Sequence, residues 1–339
     1  MTRDAPPAES PAFQIPAPCG KTIAIPRIVV DESDAYLRLK EPPALKAYYD
    51  ANGYVVARAV VPGRLCDSAR EAFAAEIKPY RGYIYRQASA VPERNVCSEQ
   101  GHVLNSILNL QDLSRGAFPR FREASLAVIT DESLQRAFAA LLGEDAIVVQ
   151  SMYFDGNPVT WAHQDTYYLD SADLGRMIGA WIALEDIHPA AGRFYVYPGS
   201  HLIDMQKNGG DFDIAFNHAR YKKLVIDVVR AHGLQCHAPA LRKGDVLFWS
   251  SKTIHGSLPT IEGRHSRASI TTHAIPSSRP FLQYQSREKR LRLQRIAGVS
   301  MHCPKDQNRL ANRAVLAVET ILPGLFHAAK KIAIKLVTR

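Results

Sequence analysis

The stretch WAHQDTYYLD, Trp161 to Asp170, sets an imidazole and a carboxylate two residues apart among aromatic side chains. In extended backbone, side chains at i and i+2 point to one side, so His163 and Asp165 can offer two ligands to one point in space. A lone His-x-Asp pair is common by chance. Its weight comes from GDVLFWSSKTIHGS, where a Gly-Asp turn leads into an apolar strand predicted to end at His255, ninety residues after Asp165. Two imidazoles and one carboxylate on one face of a β-barrel form the facial set that holds non-haem iron(II) and leaves adjacent positions open. The alternative for His255 is a histidine packed at a barrel rim.

The surrounding texture agrees with a barrel. After Gly143 come AIVVQSMYF, MIGAWIALEDI, RFYVYPG, DVLFWSS and SRASITTHAI, short runs rich in Val, Ile, Tyr, Phe and Trp, separated by Gly, Pro, Asp and Asn turns. Ahead of them, Asn52-Gly53 closes a predicted helix, a β-run covers Tyr54 to Val60, and Pro62 opens a second helix. RFREASLAVITDESLQRAFAALLG offers one or two further helices ending at Gly143. The fold expected is mainly β with flanking helices, a jelly-roll-like core with the helices packed outside. The division expected is a flexible arm or surface strap over 1–42, the β-domain over 43–300 with a lid-like insertion near 202–241, and a helical tail over 301–339.

Arg267 stands twelve residues past His255, on the next predicted strand. A guanidinium there can grip the distal carboxylate of a dicarboxylic cosubstrate whose 2-oxo acid end chelates the metal. Alternation places Arg267, Ser269 and Thr271 on one side and Ala268, Ile270 and Thr272 on the other, without telling which is inward. Arg264 competes for the role.

Taken in order, GYVVARAVV, QSMYF, HQDTYYL, GAWIALEDI, GRFYVYPGSH, GDVLFWSSKTIHGS and RASITTH resemble the phytanoyl-CoA dioxygenase family of iron(II)- and 2-oxoglutarate-dependent oxygenases over roughly residues 44–277. The resemblance implies a double-stranded β-helix, cupin-like core, with His163, Asp165 and His255 as iron ligands and Arg267 on 2-oxoglutarate. It also implies Met152, Gln164, Trp181 and Ser257 as cosubstrate-site residues. The reaction it implies consumes dioxygen and 2-oxoglutarate, releases succinate and carbon dioxide, and hydroxylates an unactivated C–H bond of a small molecule. Because Asp165 keeps the carboxylate that related halogenases lack, hydroxylation, desaturation or ring formation is expected instead of halogenation. A metal- or 2-oxoglutarate-binding protein without turnover is the rival reading. The chain departs from the family where AAGRFYVYPGSH replaces Asn-Gly and small residues, so Arg193 and Tyr195 become candidates for facing the pocket and holding an anionic group, the alternative being a solvated arginine on a strand.

At 339 residues with 46% hydrophobic content, the chain can bury a large core. Five scattered cysteines without C-x-x-C spacing argue against a disulfide framework or zinc cluster and for a cytoplasmic protein. A formal charge of +9 favours anionic ligands or surfaces. Nucleic acid is not expected, because no dense basic block with interleaved aromatics is present. In the tail, Leu325, Phe326, Ala329, Ile332, Ala333, Leu336 and Val337 fall at helical spacing beside Lys330 and Lys331. That pattern reads as peripheral membrane contact or as a helix packed on the barrel or a dimer interface. Oligomeric state is not legible.

Overall fold

The computed structural model describes residues 10–28, 32, 36–39, 41–211, 213–324, 326 and 328. Its core is a large sheet whose strands run in the order Leu293–Ile296, Val299–His302, Ala146–Phe154, Ser269–Pro276, Ile178–Ala183, Val246–Ser250 and Tyr54–Ala57, with Ile107–Leu108 also on Ala146–Phe154. Every pairing is antiparallel except that of Val299–His302 with Ala146–Phe154. Facing it is a smaller layer in which Phe194–Val196 pairs with His255–Ser257, extended by bridges from His255 to His163 and from Val196 to His237. These two layers are the walls of a double-stranded β-helix.

The register shows which face each residue takes. Met152, Thr271, Trp181, Leu247 and Val56 form one row across five strands, and Gln150, His273, Gly179, Trp249 and Tyr54 form the next but one. Trp181, Leu247, Val56, Trp249 and Tyr54 cluster with Phe194 and Val196 of the smaller layer, so this face is inward. The opposite face, with Ile270, Ala180, Ile182, Phe248 and Tyr153, packs on helices α1 (Pro42–Asn52), α2 (Gly63–Ala72), α3 (Pro119–Ile129) and α4 (Glu132–Leu142). Their limits follow the sequence signals. Gly53 closes α1 at φ 76° with its N–H on Tyr49 O, and Asp131 caps α4 by accepting from the Ser133 and Leu134 N–H groups.

Several expectations are corrected. Residues 10–28 of the expected arm form a hairpin, Ala12–Pro16 against Thr22–Pro26, with Phe13, Ile15 and Ile25 buried against the smaller layer. Residues 1–9 lie outside the described residues. Within the expected lid, helix α5 (His218–Ala231) buries Tyr221, Val225, Val228 and Val229, so much of the insertion belongs to the core. The boundary expected at 300 falls inside the strand Val299–His302, which completes the large sheet. The sequence grouped His255 with the strand before it, whereas that strand ends at Ser250 and His255 begins a new one in the opposite layer. Helix α6 (Leu310–Ile321) follows, and the amphipathic pattern from Leu325 to Val337 falls mainly outside the described residues. Among the described residues no helix is long and apolar enough to cross a membrane.

Candidate metal centre

His163 and Asp165 sit on the segment bridged to His255, His163 in the bridge itself and Asp165 at the start of a 3-10 turn, Asp165–Tyr167. Gln164 between them is extended, at φ −112° and ψ 137°, which turns both flanking side chains the same way. One potential ligand atom from each of His163, Asp165 and His255 lies within 4.8 Å of the others. Asp165 Oδ1 is 3.5 Å from His163 Nε2 and 3.6 Å from His255 Nε2.

Each imidazole is oriented by its own strand. His163 Nδ1 lies 2.8 Å from Trp161 O and His255 Nδ1 lies 2.9 Å from Thr253 O. A carbonyl can only accept, so each Nδ1 carries the proton and each Nε2 presents its lone pair toward Asp165. Burial pushes the His255 imidazole down to about 4, keeping it a neutral ligand at physiological pH. Burial alone would raise the Asp165 carboxyl, but the imidazoles of His255, His273 and His163 outweigh it and hold the group well below the usual carboxylate range. Two Nε2 atoms and one carboxylate oxygen are a donor set that fits a divalent iron ion.

Two residues around Asp165 were not legible in the sequence. Trp249 Nε1 donates to Asp165 Oδ2 at 2.8 Å, and His273 Nε2 lies 3.2 Å from the same oxygen. Both come from the inward row containing Gly179. A Cβ at Gly179 would collide with the Trp249 ring, so glycine is what lets the indole lie across the sheet. Phe194, from the opposite layer, stacks on His255 with centroids 5.5 Å apart and meets Trp181 at 6.0 Å.

Arg267 is 2% exposed, and its Nε and Nη1 have no hydrogen-bond partner among the described residues. Its guanidinium carbon lies 5.6 Å from the Phe154 ring and 5.7 Å from the Trp181 ring. Burial pushes it down to about 9, still charged at neutral pH, so it forms a fixed cation facing an apolar wall. Arg264 is instead a surface residue paired with Glu262 at 2.7 Å. Met152 and Trp181 share the inward row with Thr271. Ser257 Oγ accepts from Thr160 N at 2.7 Å and Gln164 Nε2 donates to Lys252 O, so both brace the metal-binding segment. Arg193 and Tyr195 do not face the ligand set, and Arg193, at 2% exposed, is not a solvated surface residue either. Tyr195 packs outward with α5 and the hairpin, and Arg193 is buried with Nη1 on Ala238 O, while Phe194 between them faces the centre.

At the mouth, Trp161 lies 5.3 Å from His163 and 6.1 Å from His218, and Lys222 Nζ sits 4.9 Å from the Trp161 ring. Tyr221 of α5 clamps the segment below, its hydroxyl accepting from Gln164 N and donating to Gln164 O.

A double-stranded β-helix with a His-x-Asp…His set on its inner face defines the class of iron(II)- and 2-oxoglutarate-dependent oxygenases. Within that class, the profile of the phytanoyl-CoA dioxygenase (PhyH) family matches residues 49–267, and the chain belongs to that family. The chain is 35% identical over 201 residues to phytanoyl-CoA dioxygenase domain-containing protein 1 of Bos taurus, a match covering 55% of this chain and 64% of that protein. With its Mus musculus counterpart it shares 34% over 118 residues, 32% of this chain and 39% of the relative. The chain thus matches less than two thirds of the length of these curated relatives. Among solved structures, the non-heme alpha ketoglutarate dependent epimerase SnoN from nogalamycin biosynthesis aligns at a TM-score of 0.50 with 16% identity, covering 72% of this chain and 86% of that one, a likeness of fold.

Proposed function

We propose that this chain hydroxylates an unactivated C–H bond of a small, anionic molecule, using iron(II), 2-oxoglutarate and dioxygen. The observation that carries the reading is the buried guanidinium of Arg267, whose Nε and Nη1 have no partner among the described residues and which lies against Trp181 of the inward row. A cation that gave up water without gaining an acidic partner is costly unless an anion completes it. Trp181 links the two ends, with the Arg267 guanidinium 5.7 Å from its ring and Phe194, which stacks on His255, 6.0 Å away on the other side.

In this reading His163, Asp165 and His255 hold the iron, and Arg267 fixes the far carboxylate of 2-oxoglutarate. Met152, Trp181 and Thr271 shape the floor under it, while Ser257 and Gln164 keep the His163 segment in place. When bound, iron(II) with 2-oxoglutarate supplies the activation of dioxygen, with succinate and carbon dioxide as coproducts. The residues of this chain orient the target carbon and exclude water. Trp161, Tyr168 and His218 frame an aromatic entrance, and Lys222 on the Trp161 face offers charge to an anionic substrate.

The test is succinate formation from 2-oxoglutarate by the iron-loaded protein, screened across carboxylic acids, lipid acids and amino-acid conjugates. Stoichiometric hydroxylated product with one compound supports the reading. Iron and 2-oxoglutarate binding without turnover on any compound would make the chain a binding protein instead.

A further inference from the structure

On the helical side of the large sheet, a cavity of about 500 Å³ opens between α3 and the turn that joins the strands Leu293–Ile296 and Val299–His302. Leu126 and Ala127 of α3 and Ile296 and Ala297 at the turn give it apolar walls. Its polar lining is Arg115, Arg122, Glu123 and Thr130, and the Thr130 hydroxyl is already spent on Leu126 O at 2.8 Å.

Arg122 is 8% exposed, a guanidinium buried in the side of a helix. Its Nη2 donates to Gln111 O at 3.2 Å, and its Nε has no partner. Nη1 has no bond among the described residues either, and unlike Nε it is not sealed from solvent, so a donor is left open where the residue lines the cavity. Arg115 stands beside it at an exposed position, its backbone N–H held on Asn308 Oδ1 at 2.9 Å and its guanidinium without an ion pair among the described residues. Burial, and after it the like charge of Arg115, pushes the Arg122 guanidinium below its usual range. No acid answers the two cations. Asp306, the carboxylate that acts most on Arg122, accepts from Gln294 and Asn308 instead, and Glu123 is exposed without an ion pair among the described residues. Two like charges at one cavity, one of them stripped of most of its water, are relieved by an anion.

We propose that Arg115 and Arg122 hold the phosphate of a small phosphomonoester, its apolar body against Leu126, Ala127, Ile296 and Ala297. A phosphomonoester carries nearly two negative charges at neutral pH and so matches two cations, whereas a carboxylate brings one. Guanidinium N–H groups also fit phosphate oxygens in direction as well as charge. The volume is that of a small-molecule site, and the apolar walls favour an organic body over a bare ion. The site uses none of the residues assigned to the metal centre, so it stands or falls independently of the oxygenase reading.

The experiment is calorimetric titration of the iron-loaded full chain with phenyl phosphate, inorganic phosphate and benzoate, without air and with excess 2-oxoglutarate competing for Arg267. Phenyl phosphate should bind at least about tenfold more tightly than the other two. Arg115→Gln, at an exposed position, should weaken it by at least about tenfold without moving the melting temperature. Arg122→Gln should abolish binding. If that variant does not fold, having lost the bond to Gln111 O, Arg115→Gln decides alone. A phosphomonoester on a free small molecule and one on a lipid headgroup share this chemistry, and sedimentation with phosphatidate vesicles separates them. Pelleting that Arg115→Gln abolishes assigns the group to a lipid, and no pelleting beside tight phenyl phosphate binding assigns it to a free molecule. No heat with phenyl phosphate, equal affinity for phenyl phosphate and either of the other two anions, or undiminished binding in Arg115→Gln would each overturn the proposal.

Discussion

The Trp249 indole and the Asp165 carboxylate are joined by a 2.8 Å hydrogen bond from Nε1 to Oδ2, which leaves Oδ1 as the oxygen facing His163 and His255. One carboxylate oxygen is thereby given to the protein and the other to the ligand set. Partners of this sort raise metal affinity by removing rotational freedom from the ligand. Trp249→Phe keeps the apolar ring and loses the donor. Iron(II) affinity, measured by competition with a chelator, should fall by roughly tenfold to a hundredfold with little change in melting temperature. Unchanged affinity would mean that His273 alone holds the carboxylate.

His255→Ala removes one of the three side chains proposed to hold the iron. Adding 2-oxoglutarate to the iron-loaded wild type without air should produce a weak visible charge-transfer absorption, and the variant should lack it. Persistence of the band would show that His255 does not bind the metal.

Arg267→Ala should raise the 2-oxoglutarate requirement by a factor corresponding to about 2–5 kcal/mol, because the cosubstrate carboxylate would stay buried without its partner. Lysine should rescue poorly, since it offers a point charge where the fork of the guanidinium is needed. Arg264→Ala is the control and should leave the Michaelis constant unaltered, as expected for a surface ion pair. The opposite result would transfer the role to Arg264.

Acid sensitivity should arise partly at His302, far from the metal centre. Its Nδ1 accepts from Arg292 N at 2.9 Å, and burial pushes the imidazole down to about 4. A base whose folded pKa lies below its unfolded value binds protons more tightly when unfolded, so low pH favours unfolding. The contribution is present above about 6.5 and lost as pH falls toward 4, at no more than about 1.4 kcal/mol per pH unit. His302→Asn preserves an acceptor without the titration. As pH falls from about 6.5 toward 4, the denaturant midpoint of wild type should therefore drop relative to that of the variant, and parallel curves would exclude the histidine.

The ligand set was legible because its grammar is local. His163 and Asp165 share one extended segment, and the glycine-led apolar run before His255 is a strong strand signal. Alternation grouped Arg267 with Thr271 without saying which side is inward, and the register puts Thr271 in the inward row. Trp249 and His273 were not, because their meeting at Asp165 depends on strand order and register, which pair residues far apart in the chain. The break between Ser250 and His255 was missed for lack of a proline or glycine there, although the chain crosses from one layer to the other. The departure at AAGRFYVYPGSH named Arg193 and Tyr195 as candidates without telling which side of the strand is inward. Phe194 is the inward position, and its neighbours turn away.

The two Nδ1 bonds to carbonyls two residues upstream have a further consequence. Each histidine draws its orientation from its own strand and not from the ion, so the ligands need no refolding to receive it. In a metal finger the ion is part of the fold, and removing it unfolds the chain. Here the barrel is a standing receptacle. Removal and restoration of iron should therefore behave as a simple titration, and exchange for another divalent ion should silence the chemistry while leaving the architecture whole.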